Sequence, residues 1–245
     1  MRKSILQKLF IISVLAVVIF QSCEDDSQLT AIPPVNDQSF IEEFDTAVAA
    51  LSRGWKFVNS SAPKGSGVWQ NGGNVNPFFN AFSNSGTYAG YIGTDYTSTS
   101  AEKGVISNWL ISPEVMMKNG DKIIFYSRAL TYFDPNLNDT TDYGNCLQVN
   151  INTSTNLNNV GEGMEVGDFS SSLLIINPNQ VFSSAIAPVP EAYPTKWTRF
   201  EATVNGLNKP VKGKFAFRYY VQDGGSNGFG SGIAIDSVTY KSAGY

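Results

Sequence analysis

Apolar and polar residues alternate with a period of two over several short stretches of this chain. Leu147-Gln148-Val149-Asn150-Ile151 alternates strictly, as a strand with one wet face does. Phe200-Glu201-Ala202-Thr203-Val204 alternates too. Lys122-Ile123-Ile124-Phe125-Tyr126-Ser127 follows the turn Asn119-Gly120-Asp121 and is rich in β formers. Lys214 to Val221, after a Lys-Gly-Lys turn, and Gly232 to Tyr240 complete the set. Few segments carry helical spacing; the best is Asp45–Leu51, where Thr46-Ala47-Val48-Ala49-Ala50-Leu51 predicts one or two turns. Residues 131–145 and 153–195 carry few strand signals and predict long loops, which in compact domains are commonly functional. The pattern predicts an all-β fold, a single antiparallel jelly-roll β-sandwich with long loops gathered at the ends of its sheets.

The first residues have a different pattern. Arg2, Lys3 and Lys8 precede an apolar run from Leu9 to Phe20 that only Ser13 interrupts. That run is too short to cross a bilayer core as a helix and reads as a secretory signal. It ends at Phe20-Gln21-Ser22-Cys23, which resembles a bacterial lipoprotein processing site, although Phe20 and Gln21 depart from the usual residues. The resemblance implies that residues 1–22 are removed and that Cys23 carries the lipid anchor. Glu24-Asp25-Asp26-Ser27 resembles the export tag of Bacteroidetes-type lipoproteins, which implies the outer membrane with the protein facing the cell exterior. Residues 23–38, with Pro33-Pro34 and no apolar periodicity, read as a tether, and 39–245 as the folded domain. The membrane is reached through the lipid anchor alone.

Composition narrows the chemistry. The 245 residues include no histidine and two cysteines, so histidine-based nucleophilic catalysis and His-ligated metal sites are ruled out. Charged residues make up 16%, against the usual quarter, and 22 glycines help fill the gap. The net charge of −4 argues against a nucleic-acid partner. Cys146, left without a partner once Cys23 is lipidated, reads as a buried, inert thiol.

Separated stretches share one resemblance. Phe44-Asp45 precedes Gly54-Trp55, and Asn108-Trp109-Leu110-Ile111-Ser112-Pro113 leads into Gly120-Asp121 and a strand with Phe125. Trp197-Thr198 and Ile233-Ala234-Ile235-Asp236-Ser237-Val238 follow. In this order they resemble the cleaved-adhesin, or choice-of-anchor J, domains of secreted bacterial proteins, over roughly residues 39–241. The resemblance implies a jelly roll similar to MAM, galactose-binding and carbohydrate-binding modules, and adhesion or ligand binding rather than catalysis. It also implies a structural Ca²⁺ pinning the first strand to the last, with ligands matching Asp45 and Asp236; Asp95 is a further candidate. The residues admit another reading, in which Asp45 caps the short helix and Asp236 accepts backbone N–H groups.

Aromatic residues offer a stacking platform for a sugar: Trp69, Phe78, Phe79, Tyr88, Tyr91 and Tyr96, or Tyr132, Phe133 and Tyr143 in the loop 131–145. The last three are the ligand-binding candidates, because Asp134, Asn136, Asn138, Asp139, Asp142 and Asn145 surround them. Thr140, in Asp139-Thr140-Thr141, resembles a short O-glycosylation site. Glu162, Glu165 and Asp168 fall three apart with glycines between, which suits a solvated loop better than the paired carboxylates of a glycosidase. Gly224–Gly232 lies between two strands and reads as a flexible hairpin loop rather than a phosphate cradle. The sequence thus points to a cell-surface domain binding a glycan or a surface protein. The alternatives are a structural component of the envelope and, less readily, a carboxylate-dependent hydrolase.

Overall fold

The structure is a computed structural model that describes residues 36–83 and 88–244. Cys23, the leader 1–22 and most of the tether lie outside the described residues. The elements run β1 (Phe40–Glu42), α1 (Ala47–Ser52), β2 (Lys56–Asn59), β3 (Gln70–Asn71), β4 (Ile92–Asp95), β5 (Gly104–Ile111) and β6 (Val115–Met117). Then follow β7 (Lys122–Ala129), β8 (Tyr132–Asp134), β9 (Asp139–Thr141), β10 (Leu147–Asn152), β11 (Ser171–Ile176), β12 (Thr198–Thr203), β13 (Val211–Gly224) and β14 (Gly232–Lys241).

Two antiparallel sheets pack face to face. The first has the order β12-β7-β14-β4-β3, with β1 pairing β14 beyond the end of β4. The second has the order β11-β10-β13-β5-β2, with β6 extending the edge of β13 that β5 begins. The break between β5 and β6 falls at Ser112-Pro113, where proline cannot donate to the ladder.

Alternation decides what each strand buries. Leu147, Val149 and Ile151 of β10 enter the same core as Phe215, Phe217, Tyr219 and Val221 of β13. The first sheet contributes Ile123, Phe125, Ile233, Ile235 and Tyr240. Across the two sheets, the rings of Phe125 and Phe217 meet edge to face at 4.8 Å, and those of Phe215 and Tyr240 stack at 5.9 Å. Phe44 and Trp55 close one end, 5.0 Å apart. Residues of the other parity on the second sheet, Trp109, Ile111 and Ala216, form a smaller core with Val160 and Phe169 of the following loop. The all-β sandwich expected from the alternation is therefore the fold.

Two local expectations are corrected. β11 lies inside 153–195, a stretch expected to lack strands; it begins with two serines and pairs only with β10, so it carries no clean alternation. The cap of α1 is Thr46, not Asp45: the Thr46 hydroxyl accepts the backbone N–H of Ala49 at 3.1 Å.

Candidate functional site

The loop 131–145 is built rather than loose. β8 and β9 form a hairpin in the register Tyr132–Thr141, Phe133–Thr140 and Asp134–Asp139. A segment of the later loop lies along it. The Asp139 carboxylate accepts the N–H groups of Thr140 and Ile186, and Asp142 Oδ1 accepts that of Ser183 at 2.9 Å. Asn145 ties this hairpin to the core. Its amide donates to the Asp142 carbonyl and the Ser231 hydroxyl, while its Oδ1 accepts from the Tyr219 hydroxyl at 2.8 Å and the Gly232 N–H at 3.0 Å.

The glycine-rich segment, expected to be a flexible hairpin, is pinned. Gly230 donates to the Tyr143 carbonyl at 2.6 Å, Asn227 to the Glu102 carbonyl at 3.0 Å and Phe229 to the Asp223 carbonyl at 2.7 Å. Gly230 has φ 83°, and a Cβ there would stand 2.5 Å from the Tyr219 hydroxyl. Glycine is what lets the backbone pass over that ring.

Between the hairpin and this segment opens a cleft of about 450 Å³. Tyr143, Phe182 and Phe229 supply its aromatic walls, and Asp134, Asn136, Asp223, Asn227 and Lys103 its polar groups. A recess of about 240 Å³, lined by Tyr96, Tyr132, Ser226 and Ser231, adjoins it through Tyr143 and Gly228. Tyr143 has φ 54°, a left-handed backbone that side chains rarely adopt, and such strain gathers at ligand sites. Burial first, and then the neighbouring Asp134 carboxylate, raise the pKa of Tyr143. Burial, with Asp95 and Tyr96 nearby, pushes Tyr132 up to about 12, so both tyrosines are neutral hydrogen-bonding groups at neutral pH.

Of the three loop aromatics singled out in the sequence, Tyr132 and Tyr143 thus face the cleft and its recess. Phe133 is exposed and lines neither. Thr140 is exposed on β9. Phe182, Phe229 and Asp223 were missed; they come from distant segments, and no local signal marks them.

The acidic candidates are dispersed. Asp45 is exposed beside the cap of α1. Asp95 is buried, and its Oδ1 accepts the N–H and hydroxyl of Thr97. Asp236 is fully buried at the bulge of β14, where Oδ2 accepts the N–H groups of Phe82 and Ser83 at 2.8 and 2.9 Å and Oδ1 that of Ser237. Burial pushes its pKa up to about 6, the three amides pull it down, and Glu43 adds repulsion. Among the described residues no three acidic or cysteine side chains gather into a metal cluster.

The loop of Glu162, Glu165 and Asp168 serves a different purpose. Its carbonyls at Gly163, Met164 and Glu165 accept from Arg218 Nη2 at 2.7, 3.1 and 3.2 Å. The carboxylates themselves line neither the cleft nor its recess. Cys146 is buried, and burial pushes its thiol up to about 12. Phe79, Tyr91 and Trp197 pack together, with ring centroids 5.1 to 5.6 Å apart, and Trp69 is buried in the core. Of the earlier aromatics Tyr96 alone reaches the recess.

Comparison with known proteins adds a likeness of fold. No protein-family model matches the sequence, and no curated protein matches it. The K1 cleaved adhesin domain of Lys-gingipain from Porphyromonas gingivalis W83 superposes with a TM-score of 0.50 at 18% identity, over 84% of this chain and 99% of that one. The K3 cleaved adhesin domain of the same protein gives 0.49 at 18% identity, over 85% and 100%. A xylan-binding module gives 0.42 at 11% identity, over 84% and 97%.

Proposed function

We propose that this chain is a lipid-anchored protein of the outer-membrane surface whose sandwich binds a glycan in the cleft between β8–β9 and the segment 224–232. One observation carries the reading: Tyr143, Phe182 and Phe229 converge there with Asp134, Asn136, Asp223 and Asn227. Aromatic rings match the C–H faces of a sugar, and the carboxylates and amides accept and donate to its hydroxyls. The volume is that of an ordinary small-molecule site. The strained Tyr143 backbone and the pinned glycine-rich segment hold the walls in place before ligand arrives, which lowers the ordering cost of binding.

A glycan array probed with the wild-type protein and the Tyr143→Ala variant tests this. Binding to at least one glycan by the wild type, lost in the variant, supports it. A second reading, a protein partner, is favoured by the exposed apolar side chains Phe133 and Ile186, 59% and 78% exposed. Silence on the array together with stable capture of one envelope protein would favour that reading.

A structural Ca²⁺ belongs to the same proposal. Asp236 and Glu43 are linked at the β14 bulge through Ser237, whose backbone N–H donates to Asp236 and whose hydroxyl donates to Glu43. Three acceptor positions of Asp236 are spent on backbone amides, so backbone carbonyls and water would complete the six to eight oxygens Ca²⁺ takes. Asp45 and Asp95 are the remaining acidic candidates, and Asp95 is already engaged by Thr97. The ion would hold strands together and take no part in chemistry.

A further inference from the structure

The outward face of the second sheet carries a feature that the cleft does not use. On β10, Gln148 and Asn150 have the opposite parity to Leu147, Val149 and Ile151, which enter the main core. The pairing of β10 with β11 shifts register between Val149 and Asn150. A bulge of this kind re-aims a side chain and is over-represented beside functional sites. Asn150 is 3% exposed, yet its Oδ1 has no hydrogen-bond partner. A buried acceptor left unmade costs free energy, which a donor from a bound molecule would recover.

That side chain lines a pocket of about 290 Å³ which shares no residue with the cleft at Tyr143. Its polar groups include Gln148, Ser172 and Arg218, and its apolar walls include Met164, Phe169, Ile175 and Tyr220. The walls are fixed in advance. Arg218 donates through Nε to the Ser107 hydroxyl at 2.9 Å and through Nη1 to Gln148 Oε1 at 3.1 Å. Its Nη2 holds the loop carbonyls at 163–165, and its guanidinium lies 4.2 Å from the Tyr220 ring. Phe169 packs 5.4 Å from Trp109 beneath the same loop.

The chemistry selects the ligand. The charge of Arg218 opposes a cation, and each of its three nitrogens already donates to a protein oxygen. The unpartnered acceptor of Asn150 opposes an anion. What remains is a small neutral molecule with O–H donors on its edge and C–H faces to lay on Met164, Ile175 and Tyr220. We infer that this pocket is a second binding site, taking a neutral saccharide unit with Asn150 Oδ1 as the acceptor for one of its hydroxyls.

The test is an amide NMR titration of the full mature chain, with Cys23 replaced by serine. The probes are glucose, galactose, mannose, xylose, N-acetylglucosamine, cellobiose and xylobiose. At least one is expected to shift the Asn150 side-chain amide together with the backbone amides of 148–151 and 170–175. Asn150→Ala is expected to weaken that sugar about tenfold, the value of one good hydrogen bond. Met164→Ala keeps the loop carbonyl, leaves the fold intact and is expected to weaken it as well. Tyr143→Ala is expected to leave this response unchanged, which separates the site from the cleft. No shift with any probe, or a response undiminished in both Asn150→Ala and Met164→Ala, would overturn the inference, as would shifts produced only by short acetylated peptides.

Discussion

One buried carboxylate next to the β8–β9 hairpin is only partly satisfied. Asp142 is fully buried, with Oδ1 bound to the Ser183 amide and Oδ2 without a partner. Burial raises its pKa in the folded chain above the value of 3.8 it has when unfolded. A raised folded-state pKa means that the folded chain holds this proton more tightly. Its contribution is therefore present at acid pH and lost as pH rises through the folded pKa. Asp142→Asn cannot ionise, so its stability in urea should fall less between pH 4 and pH 7 than that of the wild type. Parallel curves for the two proteins would show that Asp142 does not titrate as its burial implies. Residues like this are illegible in sequence. Asp142 and Asn145 read there as polar surroundings of loop aromatics, and only the fold brings Asn145 to Tyr219 and Gly232.

Elements were legible in proportion to their regularity. β7, β10, β13 and β14 lie inside their sheets, and β12, though at an edge, alternates over Phe200-Glu201-Ala202-Thr203, so their runs of β-forming residues mark them. β11, at an edge, and β8–β9, three residues each, do not. The glycine-rich connection between β13 and β14 was legible as a turn but not as a wall, because its partners Tyr143 and Glu102 are far away in sequence. Gly230→Ala tests that role. It places a Cβ against the Tyr219 hydroxyl at a positive φ, and should lower unfolding stability by about 1–3 kcal/mol in a denaturant titration. An unchanged midpoint would mean that the segment yields. The β14 bulge supports a second expectation. EDTA should lower the melting temperature of the wild type, and calcium should restore it, because a ligand bound only to the folded state stabilises it. Asp236→Asn should melt at the same temperature with and without calcium. A wild-type melt indifferent to EDTA would remove the ion from the account.

At the scale of the whole molecule, the fold is a sandwich like that of the cleaved adhesin domains, and the binding surfaces proposed for it lie in the loops and on one sheet face. The proposed lipid anchor brings that sandwich to a cell surface. Cys23→Ser should shift the protein from the membrane fraction to the soluble fraction of expressing cells; retention in the membrane would argue for another means of attachment. The glycan reading rests on three aromatics that the chain assembles from three distant segments, with Tyr143 shared by the cleft and its recess. Its most direct test is an equilibrium titration of the wild type and Tyr143→Ala with the glycan that binds best on an array. Losing one stacking ring should weaken binding by at least about tenfold, from the 0.5–1.5 kcal/mol of an aromatic contact added to the apolar area it buries. Equal affinities in the two proteins, or no glycan bound by the wild type, would contradict the account.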